Sequence, residues 1–104
     1  MDNALTGQAW IGDAVLTLYA RLKILRDDGA IDGEKCRRLT SNQFLGTFGE
    51  PTKTEAGIGR IYEREGMDAA FRWIERNLLP LFERQEENRS KHPAPLKAYR
   101  KKRR

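Results

Sequence analysis

The stretch Ala9-Trp10-Ile11-Gly12-Asp13-Ala14-Val15-Leu16-Thr17-Leu18-Tyr19 constrains this chain more than any other. It is the most apolar run in a sequence whose residues are 34% charged, and a single acid stands inside it. Aspartate is a poor helix former and is almost never buried without a partner. Asp13 must therefore be solvated at a groove, paired with a donor, or bound to a metal.

The run belongs to a helix expected over residues 7–26, with residues 1–5 as a lead-in and Thr6 as its N-cap. Ile11, Val15, Leu18, Leu22 and Leu25 recur at helical period, and Ala9, Asp13, Leu16 and Ala20 form a second row. Two apolar faces make this the central helix. Gly29 suits the left-handed position that ends it. Asp32 caps a second helix over residues 33–47, with Leu39, Phe44 and Leu45 inward and Arg37 and Arg38 exposed. A third is expected over 53–65, where Thr52 and Glu55 fit a capping box. Gly57 and Gly59 are costly inside it, which suggests that another backbone passes close by. Gly66 ends it and Asp68 caps a fourth helix over 69–87, kinked at Pro80. Its inward candidates are Ala70, Trp73, Ile74, Leu78, Leu81 and Phe82. Trp10 and Trp73, at helical positions, read as core residues. His92-Pro93-Ala94-Pro95 stops regular structure. No stretch alternates at period two for long enough to make a strand, so the expected class is all-α, a compact fold of about four main helices.

Charge divides the chain in two. Residues 1–88 carry 12 Lys and Arg against 15 Asp and Glu, whereas residues 89–104 carry 8 basic residues and no acid. The expected organisation is a helical domain over 1–88 and a basic, flexible tail over 89–104. Such a tail reads as a nucleic-acid arm or as a solubilising or targeting segment. Cys36 is the only cysteine, so no internal disulfide forms. No run reaches transmembrane length, and no basic-then-apolar signal pattern opens the chain. A soluble, cytoplasmic protein without a membrane partner is expected.

Two acids stand apart from the rest. Asp13 has apolar neighbours on its helix, and Glu55 precedes small and apolar residues; each has a glycine nearby. Were the two helices to cross at those glycines, the carboxylates would converge, and an all-oxygen pair suits Mg²⁺. Local sequence leaves other roles open. Glu55 completes a capping box equally well, and Asp13 can accept a hydrogen bond from an arginine or a helix end.

The residues from Ala9 to Leu16 also resemble the signature helix of the ribonuclease III domain, in which an aromatic, an aliphatic and Gly-Asp precede small and aliphatic residues. Ala9 before the aromatic is similar to the compact Mini-III-like branch. Thr54-Glu55-Ala56-Gly57-Ile58-Gly59-Arg60-Ile61-Tyr62 resembles that domain's second motif. Leu39-Thr40-Ser41-Asn42-Gln43-Phe44-Leu45 is similar to its intermediate helix, and Glu65-Gly66-Met67-Asp68-Ala69-Ala70 to the turn into its last one. The order agrees, and the likeness spans residues 5–82. The middle, between Leu45 and Glu55, is shorter than in the family. Ala9 and Thr52 stand where larger members carry further acids; the Mini-III-like branch also lacks acids at these places.

This resemblance implies a helical homodimer that binds Mg²⁺, with Mn²⁺ as an alternative. It implies cleavage of double-stranded or structured RNA, leaving 5′-phosphate and 3′-hydroxyl ends. Asp13 and Glu55 match the family's metal-binding, catalytic acids. Lys53 is a candidate phosphate contact, and Lys97, Arg100, Lys101, Lys102, Arg103 and Arg104 would hold RNA electrostatically. Two further readings stand beside it. One is a non-catalytic RNA-binding or ribonucleoprotein subunit of the same fold; the other is a helical protein-interaction module.

Overall fold

A computed structural model of the chain describes residues 3–91. The basic tail positions from Lys97 to Arg104 and the break at His92 and Pro93 lie outside the described residues. Those described form six helices: α1 (Asn3–Asp28), α2 (Gly33–Thr40), α3 (Asn42–Phe48), α4 (Pro51–Glu65), α5 (Met67–Asn77) and α6 (Leu79–Lys91). The all-α expectation holds, with six helices in place of four.

Local chemistry explains the two added breaks. The expected helix over 33–47 divides at Ser41, whose backbone is extended and whose Oγ accepts from the Phe44 N–H to start α3. Serine readily takes this role because its hydroxyl satisfies an otherwise orphaned N–H. The expected helix over 69–87 divides at Leu78, and α6 starts at Leu79. Pro80 has no N–H to offer the Arg76 carbonyl, so the helical ladder is interrupted there.

Other boundaries also move. Helix α1 begins at Asn3, so residues 3–5 are helical and Thr6 lies inside the helix instead of capping it. Gly29 ends α1 as expected, with φ of 72°. Asp32 caps α2 by accepting from the Lys35 N–H at 3.0 Å. Gly66, at φ of 96°, closes α4 and opens α5, so Asp68 sits in the first turn of α5 and is not its cap.

Helix α1 is central and packs against α2, α4 and α5. Leu16, Leu39, Leu45, Ile58 and Ile74, one from each of α1 to α5, are fully buried together with Leu78 at the α5–α6 joint. Phe82 of α6 stacks edge-on against Phe44 of α3 at 5.5 Å. Arg38 and Glu86 join α2 to α6 through two hydrogen bonds of 2.8 and 3.0 Å. Arg38 is thus half-buried, not exposed.

The face that α1 buries is rotated from the longer apolar row. Ala9, Leu16, Tyr19 and Ala20 are inside, whereas Leu18, Leu22 and Leu25 are 41%, 47% and 49% exposed. Trp10, expected in the core, is 77% exposed. Trp73 is half-buried and meets Phe48 edge-on. Tyr19 fixes the rotation. Its ring packs edge-on against Phe71, and its hydroxyl donates to Glu75 Oε2 at 3.2 Å, both on α5.

The tightest contact in the fold is between α1 and α4. A Cβ on Gly12 would fall 1.7 Å from the carbonyl oxygen of Glu55, and one on Gly59 would fall 2.0 Å from that of Gln8. Backbone lies directly on backbone there. Gly57, which the sequence groups with Gly59, touches no other backbone; a Cβ there would meet only the end of the Arg60 side chain, at 4.0 Å. The three glycines therefore separate in a thermal denaturation series. Gly12→Ala and Gly59→Ala should each cost about 3 kcal/mol or more, because the helices must part. Gly57→Ala should gain about 1 kcal/mol from helix propensity.

Candidate metal centre

The glycine contact sets where the two singled-out acids lie. Asp13 follows Gly12 on α1, and Glu55 contributes the carbonyl against which Gly12 packs. Asp13 is exposed and Glu55 half-buried. The two side chains are within hydrogen-bonding reach, and protonated Glu55 donates to the Asp13 carboxylate. Partial burial, the bond to Asp13 and the charges of Asp13 and Glu50 push the Glu55 carboxyl up to about 7. Burial penalises the charged form, and neighbouring carboxylates resist a further negative charge.

Glu55 is free for this pairing because another residue does the capping. The side chain of Glu50 accepts from the N–H groups of Thr52 and Lys53 at 3.0 and 3.1 Å. Pro51 follows at the first helical position, which needs no N–H. The capping box expected from Thr52 and Glu55 is absent, since Thr52 lies inside the helix. Glu50 was not singled out by sequence reasoning. Its signal was the Glu-Pro pair, an acid cap ahead of a proline well suited to start a helix.

A second pair closes the other side of the crossing. Arg60 donates to Gln8 Oε1 at 3.0 Å. Gln8 and Asp13 are separated by about 140° round α1, as are Glu55 and Arg60 round α4. The acids thus meet on one flank of the glycine seam, and Arg60 grips Gln8 on the other. Nothing in the local spacing of Gln8 and Arg60 marks them as partners.

Lys53 is exposed in the first turn of α4. It leaves the helix about 200° round from Glu55 and does not converge on the acids. His, Cys, Asp and Glu form no cluster of three or more among the described residues. The site is a two-carboxylate pair open to solvent through Asp13. Its all-oxygen donor set and unneutralised charge fit a hard divalent cation. No described helix is long and apolar enough to cross a membrane.

The shared proton has a consequence for stability. Glu55 in the fold holds its proton up to about 7, against an ordinary value of 4.5. Between those values the folded chain binds more protons than the unfolded one, so stability falls as pH rises through this window. Thermal midpoints measured from pH 4 to pH 8 should decline across it for the native chain without added cation. The decline should be much smaller for Glu55→Gln, and millimolar Mg²⁺ should restore the midpoint above about pH 7 by binding the folded form alone.

Compared with protein-family models, with curated proteins and with solved structures, the chain matches none.

Proposed function

We propose that this chain is a Mg²⁺-dependent endoribonuclease of the ribonuclease III kind, cutting double-stranded or structured RNA to leave 5′-phosphate and 3′-hydroxyl ends. The meeting of Asp13 and Glu55 at the Gly12–Gly59 contact carries the reading. These residues belong to the two motifs on which the family resemblance rests, and they are far apart in sequence. An acid pair that must share a proton in the absence of a cation is one that a cation would complete.

Asp13 and Glu55 would hold the ion, Mg²⁺ or Mn²⁺, once the Glu55 carboxyl gives up its proton above about pH 7. A divalent cation so bound lowers the pKa of water and offsets the charge of a phosphodiester under attack. The chain's own contribution is placement. The glycine seam holds the two carboxylates at one separation, and Arg60 with Gln8 resists their parting. Lys53, on the far side of α4, is assigned to a neighbouring phosphate. The tail from Lys97 to Arg104 supplies sequence-independent attraction.

A homodimer belongs to the same reading. Trp10, Leu18, Leu22 and Leu25 all lie within about 120° on one side of α1 and are exposed. Large exposed apolar side chains gathered on one side of a helix, here with Arg21 among them, mark an association surface. A second copy placed on it would bring two acid pairs to one duplex.

The rival reading is a non-catalytic RNA-binding subunit of the same fold. It is favoured by the size of the site, where only Asp13 and Glu55 meet.

Incubation of the purified chain with a long RNA duplex separates the two. Cleavage that needs Mg²⁺ and falls more than ~100-fold in Asp13→Asn and Glu55→Gln is expected, beyond what loss of an outer-shell partner costs a metal site. Equal cleavage by all three proteins removes the assignment of these acids, and Mg²⁺-independent retention without cleavage favours the rival. Sedimentation equilibrium should give a dimer at micromolar concentration. Leu18→Glu with Leu22→Glu should give a folded monomer.

A further inference from the structure

An open groove of about 530 Å³ lies between α2, α3 and α6, and neither Asp13 nor Glu55 lines it. Its floor is the edge-on pair Phe44 and Phe82, both buried. Its walls are polar. Arg37 and Arg38 come from α2, Gln43 and Thr47 from α3, and Gln85, Glu86 and Arg89 from α6, with Glu34 at the start of α2.

The charges here are not equivalent. Glu86 is consumed by Arg38 through two hydrogen bonds. Arg37 and Arg89 are exposed and make no ion pair among the described residues. The groove therefore presents two unpaired guanidinium groups against one unpaired acid, Glu34. The amide of Gln43 adds a further donor, while that of Gln85 is bound to Thr47 Oγ1 at 3.3 Å. Guanidinium forks match phosphate oxygens in pairs. Arg89 is also the first residue of the segment 89–104, whose 8 basic residues face no acid in sequence. A polyanion drawn to that segment meets Arg89 and then Arg37.

We infer that the groove between α2 and α6 docks an RNA phosphodiester backbone, held by Arg37 and Arg89, at a place apart from the acid pair. This rests on the RNA reading above and adds the surface that would carry substrate on the folded body. Recognition here is of phosphate and helical shape, so it should be indifferent to base sequence.

The test uses the full chain, a duplex RNA of fixed length and no divalent cation, so that binding is read without cleavage. Each phosphate contact on a duplex contributes roughly 0.9 to the slope of log affinity against log salt concentration. Arg37→Gln with Arg89→Gln should flatten that slope by about 1.5. Arg72→Gln with Arg76→Gln removes the same charge from exposed positions on α5 and should leave the slope within about 0.5 of the native value. Both pairs are exposed, and unchanged thermal midpoints verify the folds. Equal losses in the two double variants, or none in either, overturn the groove while leaving RNA binding itself standing. A groove that serves a protein partner would give that same result. Failure of the native chain to hold duplex RNA removes the groove proposal and the RNA reading together.

Discussion

The backbone contact between α1 and α4 is the constraint on which the rest of the structure depends. At Gly12 and Gly59 the two helices touch without side chains between them, so neither position tolerates a Cβ. Such an approach shortens the distance between the helix axes and brings side chains flanking the seam within reach of one another. Asp13 and Glu55 meet for that reason on one flank, and Gln8 and Arg60 on the other. The core is arranged round the same two helices, with Leu16 of α1 and Ile58 of α4 both fully buried.

Electrostatics works against packing at this point. The seam forces two carboxylates together, and the fold responds by keeping a proton on Glu55 up to about 7. Glu50 adds to the strain by placing a third negative charge near Glu55 while it caps α4. An arrangement built only for stability would avoid this clustering, since like charges in a partly buried site are costly. Perturbed carboxylates cluster at functional sites, and a bound cation would relieve the repulsion between these two. That physical tension, more than any motif, supports the reading proposed above.

Much of the fold was legible from local chemistry, and its failures have local causes. Helical period placed every major apolar segment, and Gly29, Asp32 and Gly66 marked boundaries that the structure keeps. Ser41 and Leu78 divide helices that periodicity alone joins, because apolar spacing persists across a break in the hydrogen-bond ladder. The rotation of α1 was not legible, for a different reason. The sequence offers apolar residues on two faces of that helix, and the choice between them falls to partners on other helices. Tyr19, bonded to Glu75 and packed on Phe71, is one such partner. The outcome leaves Trp10, Leu18, Leu22 and Leu25 outside.

The sequence by itself determined the class of fold and the two acids worth watching. Helical period, caps and turn glycines are local properties, and an aspartate within an apolar run is conspicuous wherever the chain goes. It could not decide whether Glu55 caps its own helix or leaves it, because Glu50 and Thr52 are alternative caps for different N–H groups and the winner depends on whether the helix starts at Pro51. Nor could it distinguish Gly59, against which a backbone lies, from Gly57, which has open space. Only tertiary structure decided those, since both depend on the path of a second helix that local spacing does not encode. The joining of Asp13 to Glu55 follows from that path: a carboxylate pair exists here because two backbones are close enough to touch.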